Sequence, residues 1–402
     1  MEGTHFNEQS DSFRKAERFK VAQTNGVFKL DPSEYATSLA NLHSNDCEIV
    51  RKSMELFARH YKYNPFYDTP ETRFIINCAV AAISQAETPI ELQKVSFLFL
   101  CNAIKSSSNG FAFISDTGLL DFFVSFLSAM DNPYFDQTII IFPRILCRDT
   151  VISGTFFSLI PIDFFIEVYN NFEFERNPDV PISIIQILFS YLVFQNEAKQ
   201  FSPSNNAKLF SIMDFLLFCL SSTYNQPGSF NFEITHWCIL TLNLFYKLSA
   251  IFCQHQIDSI LTILGEILTN SIQLQTDSIR QNKSQHIKHS GLKRNGRLIV
   301  TVVNVLISLF ESGSLINESQ NIIIPVFALI NHNIPEIQHR ALHCIDVFFR
   351  CSPDRISSFI ENSILIHFKN IFASTSYSVS KELINILLLI MKNGQNNDQI
   401  SI

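Results

Sequence analysis

Four residues with metal-binding side chains lie close together in one stretch of the sequence: His332, His339, His343 and Cys344. His339 and His343 are at positions i and i+4, a spacing that lets two imidazoles on one helical face share a metal ion. The metalloprotease motif HExxH requires Glu after the first His, and Arg340 occupies that position. Histidines on a helix surface are the alternative, and we expect neither a metal nor another cofactor.

The motifs of nucleotide-binding and hydrolytic enzymes do not occur in the sequence. Neither GxGxxG nor GxxxxGK[ST], the glycine-rich loops that hold phosphates, is found. Ser, His and Asp are present, but no GxSxG motif places a nucleophilic Ser on a strand-to-helix turn. We therefore predict a protein that is not an enzyme and has no catalytic residues.

A basic segment stands out because the chain as a whole is acidic, with a net charge of −7. The segment IRQNKSQHIKHSGLKRNGR, from Ile279 to Arg297, contains no acidic residue. Its basic residues are Arg280, Lys283, Lys288, Lys293, Arg294 and Arg297. One interpretation is a contact site for an acidic or phosphorylated partner, for a nucleic-acid backbone, or an internal mimic of a nuclear-localisation signal. The alternative is a solvated loop.

The composition indicates an apolar, globular chain. Hydrophobic residues make up 47% of the 402 residues, charged residues make up 17%, and 39 residues are Phe. The longest apolar runs, Ile182 to Phe194 and Leu298 to Phe310, are shorter than the roughly 18 residues of a membrane span. Nine Cys without a CxxC pair fit free thiols in a reducing compartment.

Residues 1–30 carry charges and no apolar block, so we expect no signal peptide. The absence of a membrane span and of a signal peptide predicts a protein of the cytoplasm or nucleus, neither secreted nor membrane-bound. The acidic net charge argues against specific nucleic-acid binding.

The histidines and the basic segment described above lie within a sequence repeat that recurs along the chain. Segments such as GLLDFFVSFL (Gly118 to Leu127) and IPIDFFIEVY (Ile160 to Tyr169) place an Asp two residues before a large apolar side chain. The equivalent positions are Asp121, Asp163, Asp214, Asp258, Pro325 and Ile366, in steps of 42, 51, 44, 67 and 41 residues. A base period near 42 is typical of an armadillo or HEAT unit.

Helical periodicity and proline positions complete the fold prediction. Second helices of the repeats begin near Pro89, Pro133, Pro181 and Pro335. No series of alternating strands occurs. We predict an all-α armadillo/HEAT-type α-solenoid over residues 31–394, a right-handed superhelix of seven or more repeats. We also expect a flexible N-terminal arm (1–30), a polar tail (395–402), and the basic insertion as a loop at about 272–297, where the longest step occurs.

Three segments resemble the armadillo core of the importin-α family. The stretch SLANLHSNDCEIVRKSMELFARHYKYNPF (Ser38 to Phe66) resembles the first repeat of that family, and residues Glu336 to Ile390 resemble two consecutive repeats. DQTIIIFPRILCRD (Asp136 to Asp149) looks like the third helix of a repeat, and FRKAERFK (Phe13 to Lys20) is similar to the start of the import-receptor-binding arm. The resemblance implies an adaptor that carries nuclear-localisation signals.

The resemblance also implies a ladder of paired side chains along a concave groove, in which Trp walls hold Lys stems and Asn clamps the peptide backbone. The matching pairs are Leu98 and Asn102, Ile140 and Arg144, Gln186 and Ser190, Ile239 and Asn243, His343 and Val347, and Asn385 and Leu389. Only Asn102 and Asn243 keep the Asn, no position keeps the Trp, and Trp237 lies off the ladder.

These observations lead us to expect one of two functions. The first is a non-catalytic adaptor that binds a protein or an extended peptide in the groove, a divergent nuclear-import adaptor included. Its groove residues would be Asn102, Arg144, Asn243, His343 and Asn385. The second is a structural or regulatory scaffold in a larger complex.

Overall fold

The computed structural model describes residues 28–107, 114, 116–146, 150–173, 176–197, 206–224, 229–249, 254–280, 288–311, 320–332, 334–357, 368, 371 and 377–393. Over these residues the protein is all-helical, and the only β pairing is a single bridge between Phe66 and Ser107. The chain divides into two compact units, Met1–Pro161 and Ile162–Ile402.

The N-terminal unit is a stack of helices in two layers. Helices α2, α4 and α6 pack side by side, while α1 packs on α2 and α3 packs on α4. Its described helices are α1 (Pro32–Asn41), α2 (Cys47–Tyr63), α3 (Pro70–Ser84), α4 (Ile90–Ser106), α5 (Leu119–Ser125), α6 (Phe135–Leu146) and α7 (Thr150–Leu159).

The C-terminal unit repeats this arrangement. Its described helices are α8 (Ile162–Asn171), α9 (Asp179–Glu197), α10 (Asn206–Thr223), α11 (Ser229–Ser249), α12 (Gln254–Arg280), α13 (Lys288–Glu311), α14 (Gln320–Ala328), α15 (Pro335–Cys351) and α16 (Tyr377–Asn393). Helices α9, α11, α13, α15 and α16 pack in succession, and we call them the second-helix layer. Helices α8, α10, α12 and α14 each pack on the helix that follows them.

The helix pairs confirm the repeat that the sequence predicts. Five of the six equivalent positions fall on the first helix of a pair: Asp121 on α5, Asp163 on α8, Asp214 on α10, Asp258 on α12 and Pro325 on α14. Ile366 lies outside the described residues. A unit of two packed helices that recurs in steps of 42, 51, 44 and 67 residues is consistent with the α-solenoid class.

Local sequence signals explain where several helices begin. Asp31 caps α1 by accepting hydrogen bonds from the backbone N–H groups of Ser33 and Glu34, each at 2.8 Å. The side chain of Glu34 faces back to the N–H of Asp31, which completes a capping box. Of the predicted proline openers, Pro335 is the first residue of α15, and Pro89 is the N-cap of α4. Proline suits these positions because its missing N–H has no partner in a first turn.

The basic insertion is largely helical, so the prediction of a loop is wrong for its described part. Helix α12 has 27 residues and ends at Arg280, and α13 has 24 residues and begins at Lys288. The long step between repeats is therefore taken up by longer helices on both sides of residues 281–287. The segment contains no Pro, and Lys, Arg and Gln are good helix formers, so nothing in it prevents the helices from extending.

Phenylalanine fills much of the core. Phe57, Phe99, Phe123, Phe135, Phe142, Phe156, Phe165 and Phe348 are among the largest fully buried side chains. In the N-terminal unit the rings of Phe142 on α6 and Phe156 on α7 have centroids 4.4 Å apart. Apolar faces of this kind are covered only when a neighbouring helix packs on them, which is the reason for the stacked arrangement.

The last two described helices of the second-helix layer, α15 and α16, differ in how well the apolar stripe that their sequence periodicity predicts is placed. On α15 the predicted stripe is buried as expected, from Ile337 to Phe348. On α16 the i, i+3, i+4 spacing of the sequence predicts a stripe of Leu383, Ile384, Leu387, Leu388 and Met391. The structure instead buries Val379, Leu383, Ile386 and Ile390, and it leaves Ile384, Leu388 and Met391 48%, 57% and 53% exposed. The face of α16 is thus rotated relative to the prediction.

Among the described residues, no single helix is both long enough and apolar enough to cross a membrane. One bent pair, Thr150–Leu159 with Ile162–Asn171, meets that test by length and composition only.

Truncation of Phe142 tests the importance of these ring contacts. Phe142→Ala should lower the free energy of unfolding by about 3–5 kcal/mol, because the fully buried ring leaves a cavity against Phe156. Leu98→Ala in α4 is the control, since Leu98 is 52% exposed and should change stability by less than about 1 kcal/mol. Urea unfolding followed by circular dichroism measures both. Equal losses in the two variants would contradict the account of the core.

Candidate functional site

The second-helix layer presents a partly exposed stripe on each helix, on the side away from the first helices. On α9 the stripe runs through Ile182, Gln186, Phe189 and Val193, at the i, i+4, i+7, i+11 spacing of one helical face. On α11 it includes Trp237, and on α13 it includes Arg297, Val300 and Asn304. These residues form the partly exposed side of the second-helix layer.

Trp237 lies on this surface together with a second aromatic side chain. Its ring meets the ring of Phe189 on α9 edge to face, with centroids 5.9 Å apart. Both side chains are partly exposed. Trp237 was predicted to lie off the ladder, and no role was predicted for Phe189. An aromatic residue at helical spacing is usually predicted to be buried in the core. The sequence alone therefore could not predict that Phe189 and Trp237 meet on this surface.

The two ladder asparagines are buried instead of exposed. Asn102 on α4 is 7% exposed, and its side-chain N–H donates to the carbonyl oxygen of Ala58 on α2 at 2.9 Å. Asn243 on α11 is 6% exposed. The hydrogen bond of Asn102 ties α4 to α2, so this side chain is committed to holding two helices together. Neither asparagine lies where it could clamp a peptide backbone.

The other predicted groove residues lie on partly exposed faces. Arg144 is on α6 in the N-terminal unit, and His343 and Asn385 are on α15 and α16 in the C-terminal unit; all three are partly exposed. The predicted ladder positions on α6, α15 and α16 are therefore partly exposed, while the predicted Asn positions on α4 and α11 are buried.

Arg297 is the one basic residue of the insertion whose side chain the structure describes. It is exposed on α13, and its guanidinium lies 3.1 Å from Nε2 of His236 on α11. No carboxylate among the described residues pairs with it. Arg294, Lys293 and Lys288 belong to the first turns of the same helix, Arg280 ends α12, and Lys283 lies outside the described residues.

The contact with Arg297 fixes the protonation of His236. Guanidinium can only donate, so Nε2 of His236 must accept, and the ring is then neutral with its proton on Nδ1. Nδ1 lies 3.4 Å from the hydroxyl oxygen of Thr301 on α13, which can accept a hydrogen bond from the Nδ1–H group. Burial and the nearby Arg297 charge lower the pKa of His236 to about 4. A neutral imidazole therefore joins α11 to α13 at neutral pH.

A second polar cluster lies where α15 meets α16. The Glu382 carboxylate of α16 stands between two imidazoles of α15: Nε2 of His339 is 3.8 Å from Oε1, and Nδ1 of His343 is 3.7 Å from Oε2. Asp346 lies one turn beyond His343, is 1% exposed and forms an ion pair with Arg350. We call His339, His343, Asp346 and Glu382 the His–carboxylate cluster.

The cluster contains two of the four residues that the sequence analysis grouped. Cys344 is fully buried among apolar side chains, and burial raises the pKa of its thiol. His332 accepts a hydrogen bond from the backbone N–H of Ile334 at 3.0 Å. Asp346 could have been found from its spacing, three residues after His343 on the same helical face. Glu382 could not, because it comes from a different helix.

Burial lowers the pKa of His339, an effect that outweighs the opposing influence of Glu382. His339 is accordingly neutral at neutral pH, and its contact with Glu382 is not a strong ion pair. His343, Asp346 and Glu382 each offer a ligand atom within 4.8 Å of the others, which makes them the group of metal-binding side chains found in the described part of the chain.

Helix pairs stacked in two layers, with an aromatic and basic surface on one layer, define an all-helical protein of the repeat type. No family model matches the chain, and no curated protein matches it. An engineered protein solved by the Northeast Structural Genomics Consortium has a similar fold, with a TM-score of 0.55 and 13% identity over 91% of this chain and 80% of that one. A second engineered protein from that consortium covers 68% of this chain at 12% identity, with a TM-score of 0.43.

Substitution of Asn102 distinguishes a structural from a ligand-binding role. Asn102→Ala should lower the free energy of unfolding by about 1 kcal/mol or more, because it removes a buried hydrogen bond between α2 and α4. Asn45→Ala, at an exposed position, is the control and should be neutral. Thermal and urea unfolding measure both variants. Unchanged stability of Asn102→Ala would contradict the structural role.

Protonation of His236 should make the C-terminal unit less stable in acid. The pKa is about 4 in the folded protein and near 6.5 in the unfolded chain, so the unfolded state binds more protons between these values. Stability should fall by up to about 3 kcal/mol as pH drops from 6.5 to 4. His236→Gln should lose this part of the pH dependence, whereas His43→Gln, at an exposed position, should keep it. Urea unfolding across this pH range gives the comparison.

Proposed function

We propose that the protein is a non-catalytic binding scaffold built as an armadillo/HEAT-type α-solenoid, and that it holds an extended segment of a partner protein against the second-helix layer. The observation that carries the proposal is the position of Arg297. Its exposed guanidinium lies on a regular helical surface and contacts the imidazole of His236, on which the ring of Phe232 stacks. It has no carboxylate partner among the described residues. Solenoids commonly bind extended partners on a surface made by successive repeats.

An acidic or phosphorylated partner suits this surface. The contact with His236 holds the guanidinium in place, which reduces the side-chain entropy that binding would otherwise cost. Arg binds carboxylates and phosphates through paired, charge-assisted hydrogen bonds. Lys293 and Arg294 precede it on the same helix, so positive charge is concentrated at the start of α13 in a chain of net charge −7. The favoured partner is therefore an anionic protein segment.

Apolar side chains of the partner would bind beside these charges. Phe189 and Trp237 meet edge to face on the same layer, and the ring of Phe232 stacks over His236 with centroids 6.2 Å apart. Aromatic side chains such as these dominate the energetics of many protein interfaces because they bury a large area with little loss of entropy. The surface suits an acidic segment that also contains an apolar or aromatic residue.

A nuclear-import adaptor is the form of the proposal that has less support. Lys-rich signals need indole walls and acidic or amide groups along the groove, whereas Asn102 and Asn243 are buried and Arg297 repels lysine. The location of the protein in the cytoplasm or nucleus stays a prediction.

One further observation favours the second candidate function, a structural or regulatory subunit of a larger assembly. Helix α16 exposes Ile384, Leu388 and Met391 in a line. Exposed apolar residues at helical spacing on an end helix are a surface on which another protein can pack. In that case a purified preparation should self-associate or require a partner for solubility, which sedimentation velocity would show.

Peptide binding tests the proposal directly. Labelled peptides that combine an aromatic residue with Asp/Glu or with phosphoserine should bind, and a Lys-rich peptide should bind at least about tenfold more weakly. Arg297→Gln should weaken binding of the acidic peptide by about tenfold or more, since a hydrogen bond between charged groups contributes about 1.5–3 kcal/mol. Trp237→Ala should have an effect of similar size. Fluorescence anisotropy at low and high salt gives the affinities.

The matched control is Lys392→Ser, which removes one positive charge at an exposed position near the end of α16. It should change the affinity by less than about twofold, because a solvent-exposed charge far from the peptide is screened. Should Arg297→Gln behave like this control, or should the Lys-rich peptide bind as well as the acidic one, the proposed function is wrong.

A further inference from the structure

The His–carboxylate cluster combines residues from two helices on one small patch. His339, His343 and Asp346 occupy positions i, i+4 and i+7 of α15, so their side chains share one face. Glu382 reaches this face from α16, which packs on α15. The side chain of Glu382 is 15% exposed and Asp346 is 1% exposed, so both carboxylates are largely removed from water.

The distances within the cluster do not correspond to hydrogen bonds. The imidazole nitrogens stand 3.7 and 3.8 Å from the Glu382 oxygens, beyond the usual 2.7–3.2 Å of an N–H···O bond. Nδ1 of His343 and Oε2 of Glu382 are buried and have no hydrogen-bond partner. Two buried polar atoms that face each other without bonding are costly to leave as they are.

These distances suit ligands that share one ion. Ligands bound to Zn²⁺ at about 2.0–2.1 Å in a tetrahedral arrangement stand roughly 3.4 Å from one another. The two distances from the imidazoles to Glu382 exceed that value by a few tenths of an ångström, and the ligand atoms of His343, Asp346 and Glu382 all lie within 4.8 Å of one another. A bound cation would also satisfy His343 Nδ1 and Glu382 Oε2 together.

The donor set defines the class of ion. Two imidazole nitrogens with two carboxylate oxygens suit first-row divalent transition metals, whereas Mg²⁺ and Ca²⁺ prefer oxygen ligands alone. We propose that His339, His343, Asp346 and Glu382 bind one divalent transition-metal ion, Zn²⁺ being the test case, and that this ion fastens α16 to α15. The site is separate from the peptide surface at Arg297 and does not depend on the proposed function.

Arg350 fits this arrangement as an outer partner of the site. Its guanidinium forms an ion pair with Asp346 one helical turn away. Carboxylates that bind metals commonly accept hydrogen bonds from neighbouring groups, which fix their orientation. Asp346 has two oxygens and can contact Arg350 and a metal ion together. The side chains of His339 and His343 are each 32% exposed, so an ion can enter from solvent and keep water as a further ligand.

The test uses the untagged full chain after treatment with EDTA and removal of the chelator. Titration with Co²⁺ should give a visible ligand-field band that saturates at one equivalent, and Zn²⁺ should abolish it by displacing Co²⁺. Zn²⁺ should also raise the melting temperature. His343→Gln and Glu382→Gln should each weaken Zn²⁺ binding at least about tenfold, while circular dichroism shows the folded helices in both.

His43→Gln is the matched control, because it removes an exposed histidine in the N-terminal unit and should leave Zn²⁺ binding unchanged. The proposal is overturned if no ligand-field band appears with the parent chain. It is equally overturned if His343→Gln and Glu382→Gln bind Zn²⁺ as the parent does. In either case the cluster is a pair of histidines beside a buried carboxylate without an ion.

Discussion

Every helix of this chain depends on its neighbours to cover an apolar face. Burying a Phe side chain contributes roughly 1.5–3 kcal/mol, whereas an exposed ion pair contributes about 0.2–1 kcal/mol. The ion pairs of α2, such as Arg51 with Glu48, are mostly exposed and cannot compete with rings such as Phe57 and Phe142, which are fully buried. Stacking of apolar faces therefore determines which helices pair, and it requires a neighbour on each side.

This constraint divides the surface of each helix into two parts. The faces toward the neighbouring helices must be apolar, or must carry polar groups whose hydrogen bonds are satisfied between helices. Asn102 with the Ala58 carbonyl, and His236 with Arg297 and Thr301, are of the second kind. A buried polar contact of this sort is satisfied in one register only, so it fixes how two helices slide against each other. The outward face carries no such restriction, and there Trp237 and Arg297 are placed.

The same division explains what sequence could and could not predict. The period of the repeat was readable because Asp121, Asp163, Asp214 and Asp258 recur on first helices. The all-helical repeat class was therefore predicted correctly, while the armadillo/HEAT type stays a prediction. The expected exposure of Asn102 and Asn243 was wrong, because the stack buries both side chains, and Asn102 donates there to the carbonyl oxygen of Ala58. The loop expected in the basic insertion was wrong because its residues favour helix as much as coil. The contribution of Glu382 could not be predicted, since no local sequence pattern indicates that α16 packs on α15.

At the junction of α15 and α16, the need to cover apolar faces conflicts with the burial of polar groups. Helix α16 is the last described helix, and its apolar contact is limited to one face, through Val379, Leu383, Ile386 and Ile390. Yet this junction also buries two carboxylates, Asp346 and Glu382, which an apolar stack would disfavour. Arg350 compensates for Asp346 only. A group that supplied positive charge between the two imidazoles and Glu382 would turn contacts of 3.7 and 3.8 Å into a link between the last two described helices of the layer.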